Sequence, residues 1–258
     1  MITLKGPTEI ALMRRANRIV AEILVELIAA ARLGVSTLEL DRLAEELTLR
    51  KGARPAFKGY RPQAVEYRHS LCVSINNEIV HGIPSAKRRL KDGDIVGLDF
   101  GVCYQGYFGD AARTIAIGNV SEGARRLMRV TREALYAGIE QARVGNRISD
   151  IGRAVQHTAE SAGYSVVTDF AGHGIGRKLH EEPQVPNYFR SGMANPRLQD
   201  GMVLAIEPMI NEGVAELEIL DDGWTAVTAD GKLSAHFEHS IAITAAGPEI
   251  LSELNHDV

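Results

Sequence analysis

The 258-residue chain repeats itself once. Ala31-Arg32-Leu33-Gly34 returns 111 residues later as Ala142-Arg143-Val144-Gly145, and at the same offset Arg42 meets Arg153 and Gly52 meets Gly163. Upstream, Glu22, Leu24 and Ile28 meet Glu133, Leu135 and Ile139. Asp92-Gly93 leads into Ile95-Val96-Gly97-Leu98-Asp99, and Asp200-Gly201 leads into Val203-Leu204-Ala205-Ile206-Glu207, at an offset of 108. Solenoid repeats recur every 20 to 50 residues, roughly. A period this long implies two related α+β halves folded against each other, unless the likeness is only that between amphipathic helices.

Each half reads as helix, helix, then strands. Ile10, Met13, Val20, Ile23, Leu24, Leu27 and Ile28 recur mostly at intervals of three and four, which predicts a helix stopped by Gly34. A second helix, Leu38 to Arg50, ends at Gly52; the other half has helices from about Glu122 to Ala142 and Ser149 to Ala162. After a polar loop, Lys58 to Ser70, strands are predicted at Leu71–Ile75, Ile95–Tyr104, Tyr107–Ile117, Tyr164–Thr168, Met202–Pro208 and Leu233–Ile243. No Pro-, Gly- or Ser-rich linker interrupts the chain, so residues 1–258 are expected to form a single domain, its halves at about 8–118 and 122–245.

Charge narrows the partners. The balance of 29 Lys+Arg against 33 Asp+Glu gives a net charge of −4, and no long basic block exists for nucleic-acid readout. Lys87-Arg88-Arg89-Leu90-Lys91 runs straight into Asp92 and Asp94 and reads as a solvated connection. The most apolar stretch, Ile19 to Ala31, is broken by Glu22 and Glu26, so no membrane span is expected. Lys5, Glu9, Arg14 and Arg15 interrupt any signal-peptide core. Cys72 and Cys103 lack CxxC spacing, which fits a reduced, cytoplasmic protein.

The residues that carry chemistry are acids on strands built for a core. Gln105-Gly106 reads as a two-residue hairpin turn, which places Asp110 opposite Gly101, diagonal to Asp99 and on its face. Gly97 and Gly101 are expected to leave open space above that face. The duplicated strand carries Glu207 where the first carries Asp99, and Pro208 ends it. Glu238 lies in the alternating run Ser234, His236, Glu238, Ser240, whose other face holds Leu233, Ala235, Phe237 and Ile241. Two carboxylates about 4 Å apart repel by roughly 4 kcal/mol at an effective dielectric near 20. Four could stay ionised together only beside a large positive charge, which two divalent cations, or lysine and arginine partners, would supply. The only basic residue noted within these strands is Arg113.

Histidines complete the set. Phe170-Ala171-Gly172-His173-Gly174-Ile175-Gly176 bends closely around His173, and His180 follows in a segment closed by Pro183. His81, in Val80-His81-Gly82-Ile83-Pro84, sits at another Gly/Pro-edged strand exit, whereas His69, His157 and His256 read as surface residues.

These stretches resemble the methionine aminopeptidases of the first type, within the pita-bread metallopeptidases. The resemblance covers almost the whole chain. It includes HGIP at His81, LDFG…GD at Asp99 and Asp110, and GHGIGRxxHEEPQVPNY from Gly172 to Tyr188. It continues through AIEPM around Glu207 and DGWT…FEHSI from Asp222 to Ile241. It implies an α+β pita-bread fold with pseudo-twofold halves, an antiparallel sheet and helices on the sheet's outer face. By the same resemblance the metal ligands fall on Asp99, Asp110, His173, Glu207 and Glu238, and the substrate-binding histidines on His81 and His180. Tyr60, Cys72 and Trp224, with Leu179 where relatives often have Phe, are expected to line the methionine pocket.

The implied activity is removal of the initiator methionine from peptide and nascent-protein N-termini, preferring a small second residue. In it a hydroxide between two divalent cations (cobalt, manganese, iron(II) or zinc) attacks the first peptide bond. Glu207 is expected as general base, His180 at the developing oxyanion and His81 at the leaving nitrogen. A cytoplasmic monomer is expected, with any ribosome docking made by the catalytic domain itself. The loop Gln63 to Ser70 looks about four residues longer than in the family, so no pocket residue is assigned to it. Two rivals stand beside this reading: a peptidase acting at Xaa-Pro bonds on the same fold, and a non-enzymatic peptide-binding module.

Overall fold

The computed structural model describes residues 1–62 and 65–253. The first half runs α1 (Pro7–Ala30), α2 (Thr37–Arg50), β1 (Arg54–Pro55), β2 (Leu71–Ile75), β3 (Glu78–Val80), β4 (Ile95–Tyr104) and β5 (Tyr107–Ala116). The second opens with α3 (Glu122–Gln141), α4 (Ile148–Ser161), β6 (Ser165–Val166), β7 (Gly172–Gly174), β8 (Glu181–Val185) and β9 (Val203–Ile206). It closes with β10 (Met209–Asn211), β11 (Leu217–Ile219), β12 (Ala226–Thr228), β13 (Ser234–His236), β14 (Glu238–Thr244) and β15 (Gly247–Ile250). Helices α2 and α4 have 14 residues each and begin 111 positions apart, at the offset of the sequence repeat. α2 begins one residue earlier than its apolar pattern because Ser36 and Glu39 form a capping box, Ser36 N–H donating to the Glu39 carboxylate at 2.8 Å.

The main sheet is antiparallel and nine-stranded, in the order β1-β4-β5-β14-β9-β7-β8, with β2 also on β4 and β15 also on β14. Its helix-covered face is the core. Ile19, Val20, Ile23 and Leu27 of α1 pack with Val96, Leu98, Phe100 and Val102 of β4. In the second half Leu135, Ile139 and Ile151 pack with Leu204, Ile206 and Ile241. Contact is closest at Gly109, where a Cβ would lie 2.7 Å from the Asn17 backbone nitrogen, so α1 rests directly on β5.

The β4–β5 register matches the turn-based expectation: Gly101 faces Asp110 and Asp99 faces Ala112. Gln105 and Gly106 both take positive φ, 48° and 82°, as a two-residue turn of this twist requires. The expectations need correction at three points. The strand predicted over Leu233–Ile243 breaks at Phe237, so β13 joins a three-stranded sheet with β10 and β6 while β14 joins the main sheet. The space above Gly101 is filled: β1 pairs with β4 there and sets Ala56 and Phe57 each 3.1 Å from where a Cβ would sit. The strands predicted at Tyr164–Thr168 and Met202–Pro208 are shorter, Ser165–Val166 and Val203–Ile206.

Candidate metal centre

Five neighbouring strands each bring one group to the uncovered face of the sheet. In spatial order these are Asp99 on β4, Asp110 on β5, Glu238 on β14, Glu207 immediately after β9, and His173 on β7. Ala112 pairs with Asp99 on one side and Glu238 on the other, so its small side chain separates the two acids in one cross-strand row. Asp110, His173 and Glu238 offer ligand atoms that all lie within 4.8 Å of one another. The Nε2 of His173 lies 3.5 Å from a Glu207 carboxylate oxygen.

Three of the acids each keep an oxygen without a donor. Buried carboxylate oxygens of Asp99, Asp110 and Glu238 have no hydrogen-bond donor among the described residues. Burial raises the pKa of Asp99 to about 7, and burial plus mutual repulsion pushes Asp110, Glu207 and Glu238 well above the usual carboxylate range. Buried carboxylates without donors are costly unless a cation meets them. His173 fits the same purpose. Its Nδ1–H donates to the Gly174 carbonyl at 2.9 Å, which leaves the Nε2 lone pair directed at the acids, and burial lowers its pKa to about 3. Four oxygen donors and one neutral imidazole fit divalent cations of the first transition row.

The remaining expected residues surround the same space. An inner cavity of about 60 Å³ is lined by all five of these groups together with Tyr60, Cys72, His81, Leu179, His180 and Trp224. A wider cleft of about 790 Å³ shares Tyr60, His81, His173, His180, Glu207 and Trp224 with it. His81 is held at φ 62°, a left-handed conformation uncommon outside glycine, and its ring packs edge-on against Phe170 and Trp224. Burial lowers its pKa to about 4, so it is neutral at pH 7. The His180 ring lies 4.2 Å from that of His173, and its Nδ1 is 2.6 Å from the Tyr60 hydroxyl. Trp224 is positioned by Asp222, whose Oδ1 accepts the Trp224 and Thr225 N–H groups, both at 2.8 Å.

Several lining residues escaped the sequence reading. Phe57 and Tyr67 line the inner cavity, Tyr67 buried with its ring 5.1 Å from that of Trp224. The long loop therefore does reach the pocket, through Tyr67; Gln63 and Ala64 lie outside the described residues. His236 is buried with its Nε2 3.8 Å from Glu207, a position visible in the alternating run before Glu238 but given no role. His69 is no surface residue: it is half-buried and hydrogen-bonded to Asp41 at 2.8 Å. His157 is exposed, and His256 lies outside the described residues.

The signature of metallopeptidase family M24 matches residues 11–245. The chain belongs to that family. Within M24 it is similar to the methionine aminopeptidase of Clostridium perfringens, at 53% identity over 98% of this chain and 99% of that one. The crystal structure of methionine aminopeptidase from Thermotoga maritima superposes with a TM-score of 0.94 at 44% identity, covering 98% of this chain and all of that one (100%). An Xaa-Pro dipeptidase from Bacillus anthracis shares the fold alone, with a TM-score of 0.77 at 24% identity, and this chain spans 63% of its length. The M24 member described here thus has the pita-bread fold and belongs with metal-dependent hydrolases, and no described helix is long and apolar enough to cross a membrane.

Proposed function

We propose that this chain removes the N-terminal methionine of peptides and nascent proteins, with preference for a small second residue. The observation that carries the reading is the cluster of donor-poor acids and His173 beside an apolar recess. Asp99, Asp110, His173, Glu207 and Glu238 would hold two divalent cations, cobalt, manganese, iron(II) or zinc. Asp110 and Glu238 stand between Asp99 on one side and Glu207 with His173 on the other. Bound cations supply Lewis acidity, acidifying a water and polarising the first peptide carbonyl.

The chain's own groups do the rest. Glu207 takes up the water's proton as general base. His180, whose Nδ1 lies 2.6 Å from the Tyr60 hydroxyl, is to present an Nε2 proton to the developing oxyanion, a role that requires the hydroxyl to donate to Nδ1. His81, neutral at pH 7, contacts the peptide nitrogen and helps the proton reach the departing amine. The methionine side chain occupies the recess of Phe57, Tyr60, Tyr67, Cys72, Leu179 and Trp224, where a polarisable thioether packs well against rings. In the same reading the protein works as a cytoplasmic monomer on chains emerging from the ribosome; both cysteines are free, which agrees with a reducing compartment.

The test is a metal titration of chelator-treated protein against Met-Ala-Ser and Ala-Pro. Metal-dependent release of methionine from the first, with the second untouched, supports the proposal. Cleavage of Ala-Pro alone, or no turnover with any of the four metals, contradicts it.

A further inference from the structure

A lysine is seldom buried without a partner. Lys5, in the segment ahead of α1, is 6% exposed, and its Nζ donates to a Glu181 carboxylate oxygen at 2.7 Å and to the Thr3 carbonyl at 3.1 Å. Its main chain is fixed as well. Lys5 N–H donates at 2.7 Å to the carbonyl of Gly201, in the turn that leads into β9 and Glu207. Gly176 makes room for the pair, since a Cβ there would stand 2.6 Å from Lys5 Cε and 2.7 Å from Glu181 Oε1. Glu181 follows His180 and turns back onto the loop that carries it, its Oε1 accepting the Lys178 N–H at 3.1 Å. At the start of that loop the Gly176 carbonyl accepts the Phe108 N–H at 2.9 Å, two residues from Asp110 on β5. Burial acts to raise the Glu181 pKa, but the bonds from Lys5 and the loop backbone outweigh it, so the carboxylate is ionised at pH 7. His180 thus stands between two anchored neighbours: Leu179, buried among Met13, Phe57 and Ile175, and Glu181, held by Lys5.

The chemistry set out under the proposed function gives neither Lys5 nor Glu181 a part, although both line the wider cleft. An apolar pair of the same volume would stabilise the fold as well or better, because two charges lose their hydration on burial. What an ion pair adds is one fixed arrangement of the groups it joins. We propose that Lys5 is a positioning residue for His180: through Glu181 it ties the loop of residues 176–180 to the Gly201 turn, and so fixes where the imidazole meets the developing oxyanion. A donor displaced by about 1 Å forfeits a large part of its effect on rate, so a bond made one residue away from His180 is felt at the reacting atoms. The effect on rate rests on the peptidase reading, whereas the anchoring of the loop does not.

Two variants test it. Lys5→Met keeps the aliphatic stem and loses the charge, and Lys5→Met/Glu181→Gln removes the stranded carboxylate as well. Thermal midpoints should fall in the first and largely recover in the second. Kinetics on Met-Ala-Ser with saturating manganese, well below both midpoints, should show kcat at least about tenfold lower in both variants, with KM within about twofold of wild type. Amide exchange at Arg177 to Leu179, read by mass spectrometry and needing no turnover, should quicken at least about fivefold in both. Recovery of kcat together with the midpoint would make the pair a structural bridge only and overturns the proposal. So does kcat within about twofold of wild type in both variants, or a raised KM at unchanged kcat. Unchanged exchange overturns it too. An inactive wild type would count against the peptidase reading, and exchange then decides the positioning by itself.

Discussion

The Tyr60 hydroxyl lies 2.6 Å from Nδ1 of His180, and the two rings are 5.1 Å apart. Burial raises the Tyr60 pKa, so the phenol keeps its proton and can donate it. In the proposed mechanism the hydroxyl donates to Nδ1, which puts the His180 proton on Nε2. Tyr60→Phe keeps the apolar ring and loses the donor. Steady-state kinetics on Met-Ala-Ser should show kcat reduced by about tenfold with little change in KM. A raised KM at unchanged kcat would instead make Tyr60 a pocket wall only.

Asp99→Asn separates activity from stability. Methionine release should fall by a factor of roughly 10³ or more, in line with loss of a group acting as part of a unit. Yet in chelated protein at pH 8, above the Asp99 pKa of about 7, the substitution removes a buried charge, so its melting temperature should exceed that of chelated wild type. Thermal melts of the two chelated proteins check this; a lower melting temperature for the variant would mean that Asp99 is a structural residue.

The acids also set a pH dependence. Asp99 has its folded-state pKa raised from 3.8 to about 7, and Asp110, Glu207 and Glu238 are raised as well. An acid raised on folding holds its proton more tightly in the native state. Chelated protein therefore loses stability as pH climbs from about 4 towards 7. Cations replace those protons in loaded protein. The melting-temperature gap between loaded and chelated protein should thus widen from pH 5.5 to pH 7.5. A gap that is constant or narrows would count against a charge-neutralised cluster.

Gly109→Ala tests how α1 supports the site. The added Cβ would meet backbone atoms of Ala16 and Asn17 at 2.9 and 2.7 Å, and backbone cannot turn aside. Neighbouring Asp110 receives a bond here, its N–H donating to Asn17 Oδ1 at 3.2 Å. Overpacking of this kind costs about 1–3 kcal/mol. Urea unfolding should show a lower midpoint with an unchanged slope; an unchanged midpoint would mean that α1 shifts freely on β5.

How much of this was legible follows from how local each signal is. The Asp99–Asp110 geometry was readable because a two-residue turn at Gln105-Gly106 dictates the pairing of all ten residues on either side. Glu207 was found through the repeat and Glu238 through alternation. His236 was equally visible, but its nearness to Glu207 depends on β13 leaving the main sheet at Phe237, which no local pattern marks. Phe57 covers Gly101 through the two-residue strand β1, too short to carry a periodicity. Tyr67 reaches the pocket through loop bonds, Gly59 N–H to the Tyr67 carbonyl at 2.8 Å and Tyr67 N–H to the Tyr60 carbonyl at 2.9 Å. Such contacts are made only once the chain has closed on itself.

The central claim is that Asp99, Asp110, His173, Glu207 and Glu238 together hold two dications. An anomalous difference map from a crystal of this protein grown with manganese tests it most directly. The account predicts two peaks among these five side chains. Strong peaks elsewhere, with the four carboxylates left unmetallated or turned towards solvent, would contradict it.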